Sequence, residues 1–334
     1  MVLVTGGTGL VGSHLLFKLI ENGETVRAIY RDERGFKAVK KCFSYYHSNP
    51  DDIFNKIEWL KADILDVPSL SDAFLNISQV YHCAAKISFN PSDFNLLKKT
   101  NVEGTANVVN LCLSQNVTKL CYVSSIATLG NTLNNDIITE DTHWNNEAQN
   151  SVYAITKYAA ELEVWRGTQE GLNAVIVNPG VIIGPGFWDS GCGALIKKVD
   201  RGIKYFTLGT SGYVGVSDVV NVMLALMKSS IKSERFILIS ENWSYQTFFT
   251  KIAEGLQQPP PKTKASKFLL SVAWRLDWLK HNLFKTERQL TKAIAKSATT
   301  KSIYSNSKVL NVLNFKFTAL DEVIVRTLKC YKDK

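Results

Sequence analysis

The stretch Val2-Leu3-Val4-Thr5-Gly6-Gly7-Thr8-Gly9-Leu10-Val11-Gly12 decides the fold. A short β-branched run turns into glycines and then into an amphipathic stretch, Leu10 to Asn22, closed by Gly23. Gly7, Gly9 and Gly12 satisfy Gly-x-Gly-x-x-Gly in the order strand, turn, helix. Glycines there allow a tight turn, let backbone approach a pyrophosphate and pack helix against strand, while the helix N-terminal amides and dipole attract the anion. Gly6, Gly7, Thr8, Gly9, Leu10, Val11 and Gly12 are therefore expected to cradle a dinucleotide.

Outward from that loop the same alternation repeats. Short β-branched runs stand at Val2 to Thr5, Thr25 to Tyr30, Ile57 to Lys61, Gln79 to Cys83, Lys119 to Ser124 and Ala174 to Val177. Amphipathic stretches separate them, among them Asp93 to Leu113 and Val152 to Thr168. Strands alternating with helices are the signature of parallel β-α-β units. The expected class is α/β, a Rossmann-type doubly wound parallel sheet with a smaller, mainly helical C-terminal substrate domain. Residues 1–180 form the dinucleotide-binding domain in this reading and 181–334 most of the substrate domain, with a segment near 213–240 returning to the first.

Of the 334 residues, 45% are hydrophobic and 21% charged, a balance that excludes a disordered chain, a collagen and a small disulfide scaffold. The six cysteines show no Cys-x-x-Cys spacing and sit mostly in apolar runs. They read as reduced core thiols, and no metal site is expected. The start shows no basic region ahead of an apolar one, and charges interrupt every long apolar stretch. A cytoplasmic protein is expected. The net charge of +9 is uneven: residues 262–334 hold 16 Lys and Arg against 5 Asp and Glu. That quarter is either a solvated basic face or a surface for an anionic partner such as a nucleotide diphosphate, nucleic acid or a lipid surface.

The end of the second strand chooses the cofactor, because an acid there binds a ribose hydroxyl whereas an Arg accommodates a 2′-phosphate. Tyr30 stands where the acid is expected and Arg31 follows it. An arginine binds phosphate by parallel charge-assisted bonds, so NADP is preferred over NAD. Asp32 opens the alternative of a surface Arg-Asp pair. Asp63 and Ile64, past the third strand, are placed to meet the adenine edge or to cap a helix.

Tyr153-Ala154-Ile155-Thr156-Lys157 carries the catalytic candidates. Residues four apart share a helix face, so the Lys157 ammonium can lie near the Tyr153 phenol and lower a pKa that is ordinarily about 10. Upstream, Ser124 and Ser125 end a strand where a hydroxyl can meet a substrate oxygen, or simply form a turn and cap a helix.

Taken together and in order, these motifs resemble the extended short-chain dehydrogenase/reductase family, also called the NAD-dependent epimerase/dehydratase family. The resemblance rests on the glycine loop, Asp63-Ile64, His82-Cys83-Ala84-Ala85, Asn101-Val102-x-Gly104-Thr105, Ser124-Ser125, Tyr153-x-x-x-Lys157, Asn178-Pro179-Gly180 and Gly184-Pro185-Gly186. It implies that Tyr153 is the general acid/base, that Lys157 lowers its pKa and holds the nicotinamide ribose, and that Ser125 orients the reacting oxygen. Cys83, Ala84, Ala85, Asn101 and Ser124 would line the cofactor. Asn178, Pro179, Gly180 and Val181 would pass beside the nicotinamide.

Ile126-Ala127 follows Ser125, where sugar-nucleotide dehydratases of the family carry an Asp-Glu pair. No Arg stands in Gly212 to Asp218, where nucleotide-sugar epimerases tend to place one for a diphosphate. The chain looks more like the dihydroflavonol reductase and 3β-hydroxysteroid dehydrogenase branches. That likeness implies interconversion of a carbonyl and an alcohol on a small, largely apolar substrate. The alternatives are a nucleotide-sugar epimerase and, from another class, a non-catalytic dinucleotide-binding protein. A homodimer through the helices near Asp93–Leu113 and Val152–Thr168 is expected, and nucleic acid is not. The basic, amphipathic Ser266 to Phe284 either covers a pocket or lies on an anionic membrane. His82 and His143 read as structural.

Overall fold

In a computed structural model of the chain, residues 1–130, 137–284, 288 and 290–333 are described. The first half runs β1 (Val2–Thr5), α1 (Leu10–Glu21), β2 (Val26–Tyr30), α2 (Phe36–Phe43), α3 (Pro50–Phe54), β3 (Glu58–Lys61), α4 (Val67–Ala73), β4 (Gln79–His82), α5 (Phe94–Leu97), α6 (Gly104–Ser114), β5 (Lys119–Val123), α7 (Val152–Gln169) and β6 (Ala174–Pro179). It continues through β7 (Val181–Ile183), α8 (Gly191–Asp200), β8 (Tyr205–Phe206), β9 (Thr210–Gly215), α9 (Val216–Lys228), β10 (Glu234–Leu238), β11 (Glu241–Ser244), α10 (Tyr245–Gly255) and β12 (Thr263–Lys264). Four helices close the chain: α11 (Lys267–Phe284), α12 (Lys292–Ser297), α13 (Ser307–Leu313) and α14 (Leu320–Lys332).

Seven strands pair in parallel in the order β10-β6-β5-β4-β1-β2-β3. Successive strand residues point to opposite faces, and the apolar sets divide accordingly. Val2, Val4, Tyr81, Cys121, Val175 and Val177 pack with α1, α2 and α9. Leu3, Val80, Leu120, Tyr122, Ala174 and Ile176 pack with α4, α6 and α7. A sheet buried on both faces needs apolar residues at every position, which is why these runs do not alternate with polar ones. The order reverses between β1 and β4, so the loops leaving their carboxyl ends diverge and open a crevice there.

Two basic side chains fasten helix ends to this sheet. From β2, the buried Arg27 donates to the Ala73 carbonyl at 3.0 Å, at the end of α4, and to the Leu75 carbonyl at 2.8 Å just past it. From β5, Lys119 donates to the Leu226 and Ser229 carbonyls at 2.6 and 2.7 Å, closing α9. Both satisfy carbonyls that a helix terminus leaves without partners.

The helix expected over Asp93–Leu113 is broken into α5, a π-helical segment at Lys98–Glu103 and α6. Buried Asn101 in that segment accepts from the Lys86 amide at 2.8 Å and donates to the Lys86 carbonyl and to Thr156 Oγ1. These contacts tie the helix to the loop after β4 and to α7, and the wide turn accommodates them. Beyond β6, Ile196, Phe248, Ile252, Ile324 and Leu328 of α8, α10 and α14 form a separate apolar cluster beside β9. Asp218 joins this part to α9 by accepting from the Thr318 amide at 2.8 Å and hydroxyl at 3.0 Å. Among the described residues, no helix is long and apolar enough to cross a membrane.

Candidate active site

The glycine loop is shaped by contacts that admit no larger residue. Gly6 has φ +70°, and a Cβ there would lie 2.5 Å from the Ala84 amide nitrogen. At Gly12 a Cβ would come within 2.1 Å of the Gly6 carbonyl oxygen, so α1 can close on the loop only through glycine. Gly9, by contrast, meets nothing nearer than 3.4 Å and starts α1 without a side-chain cap. The first amides of α1, from Leu10, Val11 and Gly12, thus face a cradle open to an anion, and this fits the pyrophosphate of a dinucleotide.

At the far end of that crevice, Tyr30 packs its ring on Phe36 at 4.7 Å and Trp59 at 6.4 Å. Arg31 is exposed and makes no ion pair among the described residues. Asp32 pairs with Arg34 and caps the short turn at Glu33–Gly35, so the acid next to Arg31 is not its partner. That turn brings Gly35 against Thr8, where an added Cβ would lie 2.9 Å from the Thr8 Cβ. Asp63 accepts from the Leu65 amide at 3.0 Å in a local turn, with Ile64 buried beneath it; the helix-capping alternative does not hold, since the residue at the N-cap of α4 is Asp66.

Ser125, Tyr153 and Lys157 come together where β5 ends and α7 begins. The Ser151 hydroxyl caps α7 by accepting from the Ala154 amide at 3.1 Å, which sets Tyr153 in the first turn. Ser125 lies beside the Tyr153 phenol and accepts from the Ala127 amide at 3.1 Å. The Lys157 ammonium does not take the expected partner. It donates to the Tyr122 hydroxyl at 2.6 Å and the Val123 carbonyl at 2.8 Å, at 1% exposure. Burial pushes Lys157 down to about 7 against the opposing pull of Glu161. Burial pushes the Tyr153 phenol up, the Ser125 bond opposing. Desolvation dominates at Tyr153 and the Lys157 ammonium is turned to Tyr122; the lowering expected of Tyr153 is a property of the form with oxidised nicotinamide beside it.

One carboxylate, which the sequence reading missed, organises the surroundings. Glu161, 1% exposed, accepts from Ser124 Oγ at 2.6 Å, Thr128 Oγ1 at 2.8 Å, Asn178 Nδ2 at 2.9 Å, Trp165 Nε1 at 3.3 Å and Arg235 Nη1 at 3.0 Å. The signal was available, since Glu161 follows Lys157 by four residues and shares its helix face. The Ser124 side chain is thus committed to Glu161 and that of Asn101 to Lys86 and Thr156. A cofactor would meet these two residues through their backbones. Asn178 Oδ1 is buried without a partner among the described atoms. Gly180 is locked against β9, its Cβ position 2.3 Å from the Gly212 carbonyl oxygen, and it carries the chain from Pro179 to the half-buried Val181.

A buried chain of polar groups links the loop to the lysine. His82 binds Thr5 Oγ1 at 2.6 Å through Nδ1 and Thr105 Oγ1 at 3.0 Å through Nε2, and its ring stacks on Tyr122 at 5.4 Å. Through that stacking the chain reaches Tyr122, whose hydroxyl accepts from Lys157. Tyr122 sits in an apolar run with nothing to mark it in the sequence. The Cys83 thiol, pushed up to about 12 by burial, stays protonated beside Ala84 and the exposed Ala85.

The model of the NAD dependent epimerase/dehydratase family matches residues 2–239, and the chain belongs to that family. It is 30% identical over 289 residues to the Synechocystis sp. protein named "Putative dihydroflavonol 4-reductase", covering 81% of this chain and 77% of that one. To sterol demethylase protein B of Methylococcus capsulatus it is 29% identical, covering 78% and 76%. The crystal structure of gox2253 superposes with a TM-score of 0.82 at 24% identity, over 100% of this chain and 98% of that one, and shows the same fold. The protein is an NAD(P)-dependent enzyme of this family.

Burial holds His82 neutral down to about pH 3 and His14 to about pH 4, both below the ordinary 6.5. Below pH 6.5 the unfolded chain takes up these protons and the folded chain does not, so stability falls with pH. Each histidine contributes about 1.4 kcal/mol per pH unit across its window. Urea unfolding between pH 6 and pH 5 should therefore show a slope smaller by about that amount in His14→Gln than in the parent, and an unchanged slope would refute the assignment.

Proposed function

We propose that this chain is an NADPH-dependent reductase that converts a ketone or aldehyde on a small, largely apolar substrate to the alcohol. The observation that carries the reading is the Ser125 hydroxyl set beside the Tyr153 phenol at the carboxyl edge of the sheet, next to the buried Lys157 and across the crevice from the glycine loop. Phe89 covers the Tyr153 ring edge-on at 5.6 Å, and Ile87 and Phe89 are exposed at the same place, an apolar approach suited to an apolar substrate. The likeness to the Synechocystis protein named "Putative dihydroflavonol 4-reductase" supports the same direction.

Reduction of a carbonyl needs a hydride at carbon and a proton at oxygen. A bound reduced nicotinamide supplies the hydride. Ser125 hydrogen-bonds the carbonyl oxygen and holds it against Tyr153, whose phenol donates the proton as negative charge develops there. The upward push of burial on Tyr153 suits this step, because the group that must donate is kept protonated at neutral pH. Lys157, one helical turn on and held by Tyr122 and the Val123 carbonyl, places its positive charge on the same helix face as the phenolate left behind. Its pKa near 7 makes its charge sensitive to whatever enters the crevice. Glu161 fixes Ser124 and Asn178, and through them the strand ends that carry Ser125 and Pro179. Exposed Arg31, beside the turn that packs on Thr8, supports the preference for NADP.

The face of α7 away from the sheet exposes Ile155 and Leu162, seven residues apart, and α5 exposes Leu96. These apolar positions support a homodimer through α5, α6 and α7. Light scattering is expected to give twice the chain mass, and a monomer at all concentrations would overturn it.

On a confirmed carbonyl substrate, Tyr153→Phe should lower turnover by about 10²- to 10⁴-fold while leaving NADPH affinity nearly unchanged, since only the proton donor is lost. Near-normal turnover would remove Tyr153 from the acid role. Isomerisation of UDP-sugars without net NADPH consumption would replace the reductase with an epimerase. Arg31→Ala should weaken NADPH by about 1.5 to 3 kcal/mol and leave NADH alone. Equal affinity of the parent for the two cofactors in a thermal-shift titration would sink the NADP preference.

A further inference from the structure

Helix α11 turns its apolar residues the wrong way for a folding helix. Leu270, Ala273, Trp274, Asp277 and His281 form its half-buried side, whereas Leu269, Val272, Leu276, Leu279 and Leu283 are exposed. Their spacing alternates three and four residues, so they make one continuous stripe along the outward side of a helix of 18 residues, about 27 Å long. Phe268, at 78% exposure, and Phe284, at 71%, extend it at the two ends.

The margins of the stripe are cationic. Arg275 and Lys280 flank it, Lys267 begins the helix, and Asp277, the helix's one acid, lies on the half-buried side near Arg288. The chain entering α11 passes through β12, which pairs with β8. That ribbon exposes Tyr205 and brings Lys204, Lys262 and Lys264 beside one another, just ahead of α11.

We propose that this surface docks on an anionic lipid bilayer, with α11 lying flat in the interface. A bilayer offers what the surface asks for: apolar depth for Phe268 and the leucine stripe, and anionic headgroups for the lysines and Arg275. A second copy of the chain fits poorly. Pairing two such stripes would bring Arg275 and Lys280 of one helix beside the same cations of the other, with no exposed acid between them. The absence of any membrane-crossing helix among the described residues is consistent with a surface contact. This docking is independent of the reductase reading and of which cofactor is used.

Flotation of the full chain with lipid vesicles tests it. Phosphatidylcholine vesicles carrying about a third phosphatidylglycerol should retain the protein at low salt. Pure phosphatidylcholine, or the same anionic vesicles at high salt, should retain about ten-fold less or lower still. The double variant Leu276→Asp, Leu279→Asp should lose vesicle binding by a similar factor with its melting temperature and NADPH thermal shift unchanged, because both side chains are exposed. Parent protein that floats with neither vesicle overturns the proposal. So does a double variant that floats like the parent. A stripe that instead mediates self-association, seen as a change of mass in the double variant without vesicle binding by the parent, or that binds only an acidic amphipathic helix, overturns it as well.

Discussion

A single buried carboxylate governs the geometry of this site. Glu161 projects from the sheet-facing side of α7 and gathers donors from five places: the end of β5, the turn after it, the end of β6, its own helix and β10. An uncompensated buried charge would be prohibitive, and here every donor is a separate piece of chain that must be in place before the charge is satisfied. The interaction with Arg235 is the salt bridge of the set, at 3.0 Å, and Arg235 also donates to the Glu140 carbonyl at 2.8 Å. Helix, strand ends and edge strand are thereby fixed to one another by electrostatics, where apolar packing alone would leave them free to slide.

That rigidity has a chemical consequence. Lys157 and Tyr153 lie one and two turns before Glu161 on α7, so whatever fixes Glu161 fixes them. The ammonium is held by Tyr122 and the Val123 carbonyl in a place where burial has brought its pKa near neutrality. The phenol is desolvated in its turn. Both groups are therefore poised in their uncharged direction by the protein, and an incoming charge in the crevice has more effect on them than it would in water. The line from Thr5 to His82, whose ring stacks on Tyr122, supports that lysine from the side of the glycine loop, joining the place where a pyrophosphate fits to the place where a proton moves.

Much of this was readable because it depends on local rules. Gly6, Gly9 and Gly12 stand where a Cβ would collide or where a ligand must approach, and the β-branched runs mark strands covered on both faces. The catalytic spacing is equally local, since four residues return a side chain to the same helix face. What escaped depends on contacts between distant segments. Nothing in the apolar run Lys119 to Val123 distinguishes Tyr122 from a core residue, and it becomes a lysine partner only because α7 crosses β5. The partner of Lys157 was hidden for the same reason: spacing places Tyr153 and Lys157 on one face, but a group from another strand holds the ammonium. Asn101 likewise has an unremarkable setting in sequence, and its π-helical turn follows from partners at Lys86 and Thr156.

The outward leucines of α11 stand apart from all of these constraints. None of the apolar clusters that hold the described fold together includes a residue of that helix. Packing therefore does not require Leu276, Leu279 or Leu283 to be apolar, and helix propensity would be served as well by lysine or glutamate at exposed positions. Exposed apolar stripes of this length carry a cost in self-association and aggregation that neutral drift toward polar residues would relieve. The stripe is bordered by cations, in a quarter of the chain that carries the whole of its basic excess. A surface with both properties is explained by an external partner that is itself apolar and anionic, not by the demands of the fold.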